Sequence, residues 1–292
     1  MSSILHRITP HTRDIGFPVK RLLPDIKARS IGPFVFLDHM GPTSFAAGTT
    51  AGDVRPHPHI GLATITYLFS GAIMHRDSLG SVQRITPGDI NWMTAGYGIV
   101  HSERIPDDVR DNQVNVEGLQ MWVALPPELE ECEPAFWHYA EAELPRYMQG
   151  DVNVHVMVGS FGGRTSPVRV ASPTLYVALE IPAEASIDIP ADYAERGLYV
   201  VSGAISIDGE RVEQGTLVVL QGGSIVRIDA PEAARLVLIG GEALAGQRGL
   251  WWNFVSSDKA RLEAAKQAWA QQDTSQFPKV PGEVEFIPLP ER

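Results

Sequence analysis

The 292-residue sequence predicts an all-β protein, two β-barrels in one chain with a single short helix near the C-terminus. Three observations carry that prediction. Glycine (27) and proline (22) recur at short intervals between β-rich runs, the pattern of a sandwich or barrel and not of alternating strand–helix units. The stretch Tyr67-Leu-Phe-Ser-Gly-Ala-Ile73 returns as Tyr199-Val-Val-Ser-Gly-Ala-Ile205. Each copy is followed by a polar hairpin and then by a glycine, Gly88 or Gly215, that opens another strand. Helical periodicity is convincing only over residues 256–272.

In chain order, the first half gives strands at 34–37, 64–69, 72–75, 89–93 and 119–125. The proline- and acid-rich run 125–134 reads as the connector, which places the barrels at 1–130 and 136–292; the strand-like 137–139 is assignable to either side. Strands of the second half fall at 154–158, 175–181, 198–201, 204–207, 216–220, 225–228 and 236–239. Asp208-Gly209 and Gly222-Gly223 supply the positive φ that hairpins need. In the late helix, Ser and Asp stand at the start, and Leu262, Ala265 and Trp269 form one apolar stripe, expected to pack on the second barrel. Prolines along 277–290 remove ladder donors and fix φ, so the tail should be extended.

Composition narrows the function classes. With 44% hydrophobic and 20% charged residues the chain can bury a core, and its length suggests two domains. The net charge of −11 and the lack of a basic run argue against direct contact with nucleic acid. The single cysteine, Cys132, allows neither an intramolecular disulfide nor a thiolate metal site. The first residues lack a secretory apolar core, and no run approaches the roughly 18 apolar residues of a membrane span. A soluble, cytoplasmic protein is expected, with no membrane partner.

The chemistry lies in two short spacings. His57-Pro-His59 and His101-Ser-Glu103 each put two side chains on one face of an extended strand. One His-x-His is usually a solvated edge, but two ligand-spaced pairs in β-patterned sequence can converge three imidazoles and a carboxylate on a divalent metal. Open coordination positions would then remain for water, dioxygen or substrate. All nine histidines lie at or before His155, so the second barrel proper, from Thr174 on, has none, and imidazole binding is confined to the first copy. His75 is expected at the surface or barrel rim, and His39 near the site as an outer partner. Gln120 and Trp122 share one strand face and Met121 the other, so one of these sets lines the cavity. Asp77, Ser78 and Asp89 read as turn and strand-end residues. A hydrolase elbow and a phosphate-binding glycine loop are both missing.

Gly98-Ile-Val-His101 after His57-x-His59 resembles the two signature motifs of the cupin superfamily. The match narrows over His57-Pro-His-Ile-Gly61, the run Pro87-Gly-Asp-Ile-Asn-Trp-Met-Thr-Ala-Gly-Tyr-Gly-Ile-Val-His-Ser-Glu103, and Leu119-Gln-Met-Trp-Val123. It extends over Arg13-Asp-Ile-Gly-Phe-Pro-Val-Lys, Phe36-Leu-Asp-His-Met-Gly-Pro42 and Trp252-Asn-Phe-Val255. By these the chain resembles the pirin family along nearly its whole length. The resemblance implies two cupin-type barrels (double-stranded β-helix, or jelly roll), a metal-free second barrel, and one divalent metal ion per chain, iron(II) by the family pattern. It implies His57, His59, His101 and Glu103 as the ligands. Many members carry Glu four residues after the second His, where this chain has Ala63. Two functions follow by resemblance: a non-haem dioxygenase of the quercetin 2,3-dioxygenase type acting on a flavonol or catechol, or an iron- and redox-sensing regulator working through a protein partner.

Overall fold

The computed structural model describes residues 2–290 and is built almost wholly of antiparallel strands, with two α-helices, Asp107–Asp111 and Lys259–Ala270, among the described residues. Two barrels of cupin type follow one plan, each pairing a seven-stranded with a four-stranded sheet. Every strand expected from the sequence is present, most of them longer by one to several residues at an end.

In the first barrel the large sheet runs in the order Ala135–Tyr139, Ile90–Thr94, Leu62–Ser70, Val116–Ala124, Phe34–Thr43, Pro18–Leu23 and His11–Asp14. The small sheet runs Val54–His59, Ile99–Arg104, Ile73–Asp77 and Val82–Ile85. The strand-like 137–139 thus belongs to the first barrel, where Trp137 pairs with Trp92. In the second barrel Thr174–Ile181 lies between Val152–Val158 and Ala234–Gly241, and its small sheet runs Ser186–Ile189, Val226–Asp229, Ala204–Ile207 and Glu210–Glu213. Its core cluster is aliphatic in the main: Val154, Val177, Leu179, Ile189, Ile205, Val226 and Leu238 are all wholly buried. On the offset of the Ser-Gly-Ala-Ile repeat His57 corresponds to Ile189, whose cross-strand partner is Val226 as His101 is that of His57. Aliphatic side chains stand in the second barrel where the first carries imidazoles, which is the physical form of the histidine asymmetry in the sequence.

The two units are not divided at one connector. One comprises Thr12–Lys20, Asp38–Glu141 and everything from Ala245 on; the other comprises the N-terminal segment through His11, Arg21–Leu37 and Ala142–Leu244. Strand Ile4–Ile8 accordingly pairs with Leu217–Leu220 of the second barrel. This replaces the contiguous division at 130/136. It also corrects the expected place of the late helix. Asp258 accepts from the Ala260 amide as N-cap, and the stripe Leu262, Ala265 and Trp269 packs in one cluster with Ile60, Val100, Phe254 and Phe277 of the first-barrel unit. The stripe was legible, but an amphipathic face does not say which apolar surface will cover it. Residues 278–290 have neither helix nor strand, in keeping with their prolines, and the Ile287 amide donates to the Pro56 carbonyl. No helix among the described residues is long and apolar enough to cross a membrane.

Candidate metal centre

His57 and His59 stand on Val54–His59, and His101 and Glu103 on its antiparallel neighbour Ile99–Arg104. The register sets His101 opposite His57 and Ile99 opposite His59, then shifts so that Glu103 faces Val54. One extra residue is thus taken up in the stretch holding Arg55 and Pro56, a bulge that re-aims the side chains beside it. Past His59 the chain turns through Gly61, at φ +66, whose amide donates to the Gly96 carbonyl. Gly96 itself has φ +50, and a Cβ there would stand 1.9 Å from the Cys132 carbonyl oxygen. Glycine at this point of the Thr-Ala-Gly-Tyr-Gly run is therefore a steric requirement of the turn that presents the ligand strands.

The three histidines are buried, and each offers a ring nitrogen within 4.8 Å of those of the other two. His59 Nε2 and His101 Nε2 are 3.1 Å apart. Around one ion with metal–nitrogen distances of about 2.1 Å, neighbouring ligand atoms at right angles stand about 3 Å apart. The Nδ1 atoms of the first two rings face backbone carbonyls, His57 that of Arg55 at 2.9 Å and His59 that of Asn253 at 3.2 Å. Each neutral ring therefore donates from Nδ1 and keeps its lone pair on Nε2, the tautomer a metal ligand needs. Burial holds all three in the neutral form. It lowers His57 to about 4, and it takes His59 and His101 well below their ordinary value, with the neighbouring imidazoles adding to the effect.

Glu103 lies on the same strand face but outside this cluster, where its Oε1 is 3.2 Å from Thr66 Oγ1. Burial pushes its carboxyl above the ordinary value, against the opposing effects of His75 and of the Thr66 hydrogen bond. Thr66 Oγ1 also stands 3.0 Å from Gln120 Oε1, and the Trp122 ring meets His59 edge-on at 5.2 Å. Of the two alternatives on that strand, Gln120 and Trp122 line the site. Ala63 alternates with Thr64 and Thr66 along Leu62–Ser70, so it points to the opposite face from Thr66. An acid at Ala63 would be directed away from Glu103.

His75 is not a surface or rim residue. It is buried, its ring stacked on Phe136 at 4.2 Å, with Nδ1 3.4 Å from His101 Nδ1 and Nε2 2.9 Å from Asp77 Oδ2. Asp77 is wholly buried and also serves the turn expected of it, its Oδ1 accepting from the Leu79 and Ser81 amides. Burial raises its carboxyl, but the hydrogen bond from His75 and the Ser81 donor outweigh that and hold it below its ordinary value. The sequence held a signal for this pair: His75-Arg-Asp77 has the same one-face spacing as the two ligand motifs. His39, expected near the ligands, is buried with Nε2 3.3 Å from Glu117 and its ring edge-on to Phe69. Ser78 and Asp89 are turn residues as expected, Ser78 Oγ accepting from Val100 and Asp89 from Thr86 and Glu141.

Two barrels of this plan, with inward imidazoles in the first and an apolar interior in the second, define a bicupin. Residues 16–123 match the Pirin family and residues 176–275 the Pirin C-terminal cupin domain. A pirin-like protein of Caulobacter vibrioides is 45% identical over 282 residues, 96% of each chain. The chain belongs to the pirin family. A crystal structure of quercetin 2,3-dioxygenase from Acinetobacter baumannii, 35% identical, superposes with a TM-score of 0.91 over 99% of this chain and 96% of that one. The bacterial pirin YhhW of Escherichia coli, solved in complex with nickel(II), shares the fold at a TM-score of 0.65 and 18% identity, over 82% of this chain and 99% of that one.

Proposed function

We propose that the first barrel holds one divalent metal, iron(II) in the working protein, on His57, His59, His101 and Glu103, and that the protein is a dioxygenase of flavonol-type enols. The observation that supports this most is the pair of ring nitrogens 3.1 Å apart, since two neutral imidazoles facing each other this closely in a buried site fit a shared cation. The 35% identity to a quercetin 2,3-dioxygenase over almost the whole chain supports the substrate class. Bound there, such a metal supplies Lewis acidity and one-electron redox chemistry.

The chain's own residues do the rest. The carbonyls of Arg55 and Asn253 fix two imidazoles in the ligating tautomer. Thr66 stands within hydrogen-bond distance of both Glu103 and Gln120, and Gln120 offers an amide to orient a polar oxygen of the substrate. Trp122, packed edge-on against His59, gives an apolar surface suited to a flat aromatic ring and helps exclude water.

Anaerobic reconstitution with Fe(II), followed by oxygen uptake over a panel of flavonols and catechols, tests the reading. Uptake with a flavonol that is lost in His101→Ala is the expected result. Stoichiometric iron without uptake on any member refutes the dioxygenase and favours the iron-sensing regulator acting through a protein partner.

A further inference from the structure

His57 and His59 are oriented by backbone carbonyls, whereas the Nδ1 of His101 faces a side chain. It lies 3.4 Å from His75 Nδ1, and His75 Nε2 lies 2.9 Å from Asp77 Oδ2. We propose that His75 and Asp77 are a positioning pair for His101: Asp77 accepts the Nε2–H of His75, His75 accepts the Nδ1–H of His101 on its own Nδ1, and His101 is left with its lone pair on Nε2, toward the other two imidazoles. This rests on the metal reading above and deepens it, because it makes the third ligand the one whose basicity is set by a buried acid.

The geometry supports a built device. Asp77 is wholly buried, and its two oxygens have separate tasks: Oδ1 takes the amides of Leu79 and Ser81, and Oδ2 takes the imidazole. The carboxylate therefore cannot turn away from His75 without breaking the turn. The His75 ring is held on its other side by Phe136, with ring planes only 13° apart, so it cannot swing out of line. Register puts Asp77 opposite His101 and His75 opposite Glu103, so one strand pairing delivers both members of the pair and two of the four proposed ligands. A carboxylate at the far end of two hydrogen-bonded imidazoles raises the donor strength of the last nitrogen, and loss of such outer partners typically weakens metal binding 10- to 100-fold.

The substitution that separates this role from a structural one is Asp77→Asn. An amide can keep an oxygen toward the Leu79 and Ser81 donors, but it turns an NH2 toward His75. That forces the His75 proton to Nδ1 and so the His101 proton to Nε2, where it blocks the lone pair. Two measurements are made on the full-length protein. In the metal-free state, nitrogen-15 shifts of the imidazoles report which nitrogen carries each proton. The wild type is expected to show His75 protonated on Nε2 and His101 on Nδ1, and the variant the reverse. Chelator competition with Zn(II), which needs no turnover, is expected to show the variant binding 10- to 100-fold more weakly, and His75→Phe likewise. Protons on both nitrogens of His75 in the wild type, no reversal in the variant, or reversal with unchanged Zn(II) affinity each overturns the positioning role. If the wild type binds no Zn(II), the metal reading itself fails, while the nitrogen-15 pattern still reports on the pair.

Discussion

Stripping the metal and lowering the pH should unfold the first barrel well before general acid denaturation. His57 titrates near 6.5 in an unfolded chain and near 4 in the folded one. Between those values the unfolded state binds more protons, so stability is complete above about pH 6.5 and is lost as pH falls toward 4. A gap of about 2.5 units at 1.36 kcal/mol each makes this roughly 3 kcal/mol from His57 alone. His59 and His101 are lowered for the same reason and act in the same direction. Glu103 acts the other way: its raised carboxyl contributes below its unfolded value and loses that contribution as pH rises through the folded one. Three histidines against one carboxyl leave net loss on acidification. With a urea m-value of about 2 kcal/mol/M, the midpoint should drop by at least about 1.5 M between pH 7 and pH 4. Tryptophan fluorescence reads this unit selectively, because all six tryptophans (92, 122, 137, 251, 252 and 269) lie in it. His57→Gln should flatten the dependence by about the His57 share. A midpoint that stays level or rises on acidification, in chelator and with the fold intact at both ends, would refute the account of buried neutral imidazoles.

Elemental analysis should find about one metal per chain, falling to near zero in His57→Ala/His59→Ala, while circular dichroism stays close to wild type; metal retained by that variant contradicts the ligand set. Trp269→Ala removes a buried ring that touches Phe277 and Phe286 and donates to the Ile287 carbonyl, so it should cost about 3–5 kcal/mol in the urea titration. The same change should expose the tail to proteolysis, and a tail that remains resistant would argue that Trp269 does not hold it. Gly96→Ala puts a Cβ into the Cys132 carbonyl at a positive φ, so a loss of more than about 2 kcal/mol or insoluble expression is expected; wild-type stability would show that the turn can relax.

Local pattern carried much of this structure. The Ser-Gly-Ala-Ile repeat announced the duplication because two copies of one hairpin obey the same turn chemistry, and the shared strand faces of His57 with His59 and His101 with Glu103 were readable because alternation is a local property of strands. Short, exposed edge strands such as His11–Asp14 and Glu210–Glu213 gave no signal, since pairing along a sheet edge and not composition makes them strands. His75 illustrates the other limit. Its one-face spacing with Asp77 was visible, but that the strand would lie beside Ile99–Arg104, and so against His101, is a fact of sheet order. The ownership of the termini was likewise invisible, because an apolar stripe such as Leu262, Ala265 and Trp269 fits many surfaces and only the fold selects Ile60 and Val100.

The division of the chain has a consequence for how the protein is made. A ribosome releases His57, His59 and His101 early, while the Asn253 carbonyl that faces His59, and the aromatic cluster of Phe254, Trp269 and Phe277, emerge only after the other unit is complete through Leu244. The unit that carries the imidazoles is thus completed after the other, and a nascent chain carries its three imidazoles through the synthesis of Ala142–Leu244 without the segment that packs beside them. A stop between Leu244 and Asn253 should therefore disturb the proposed metal site although all four proposed ligands have already been synthesised.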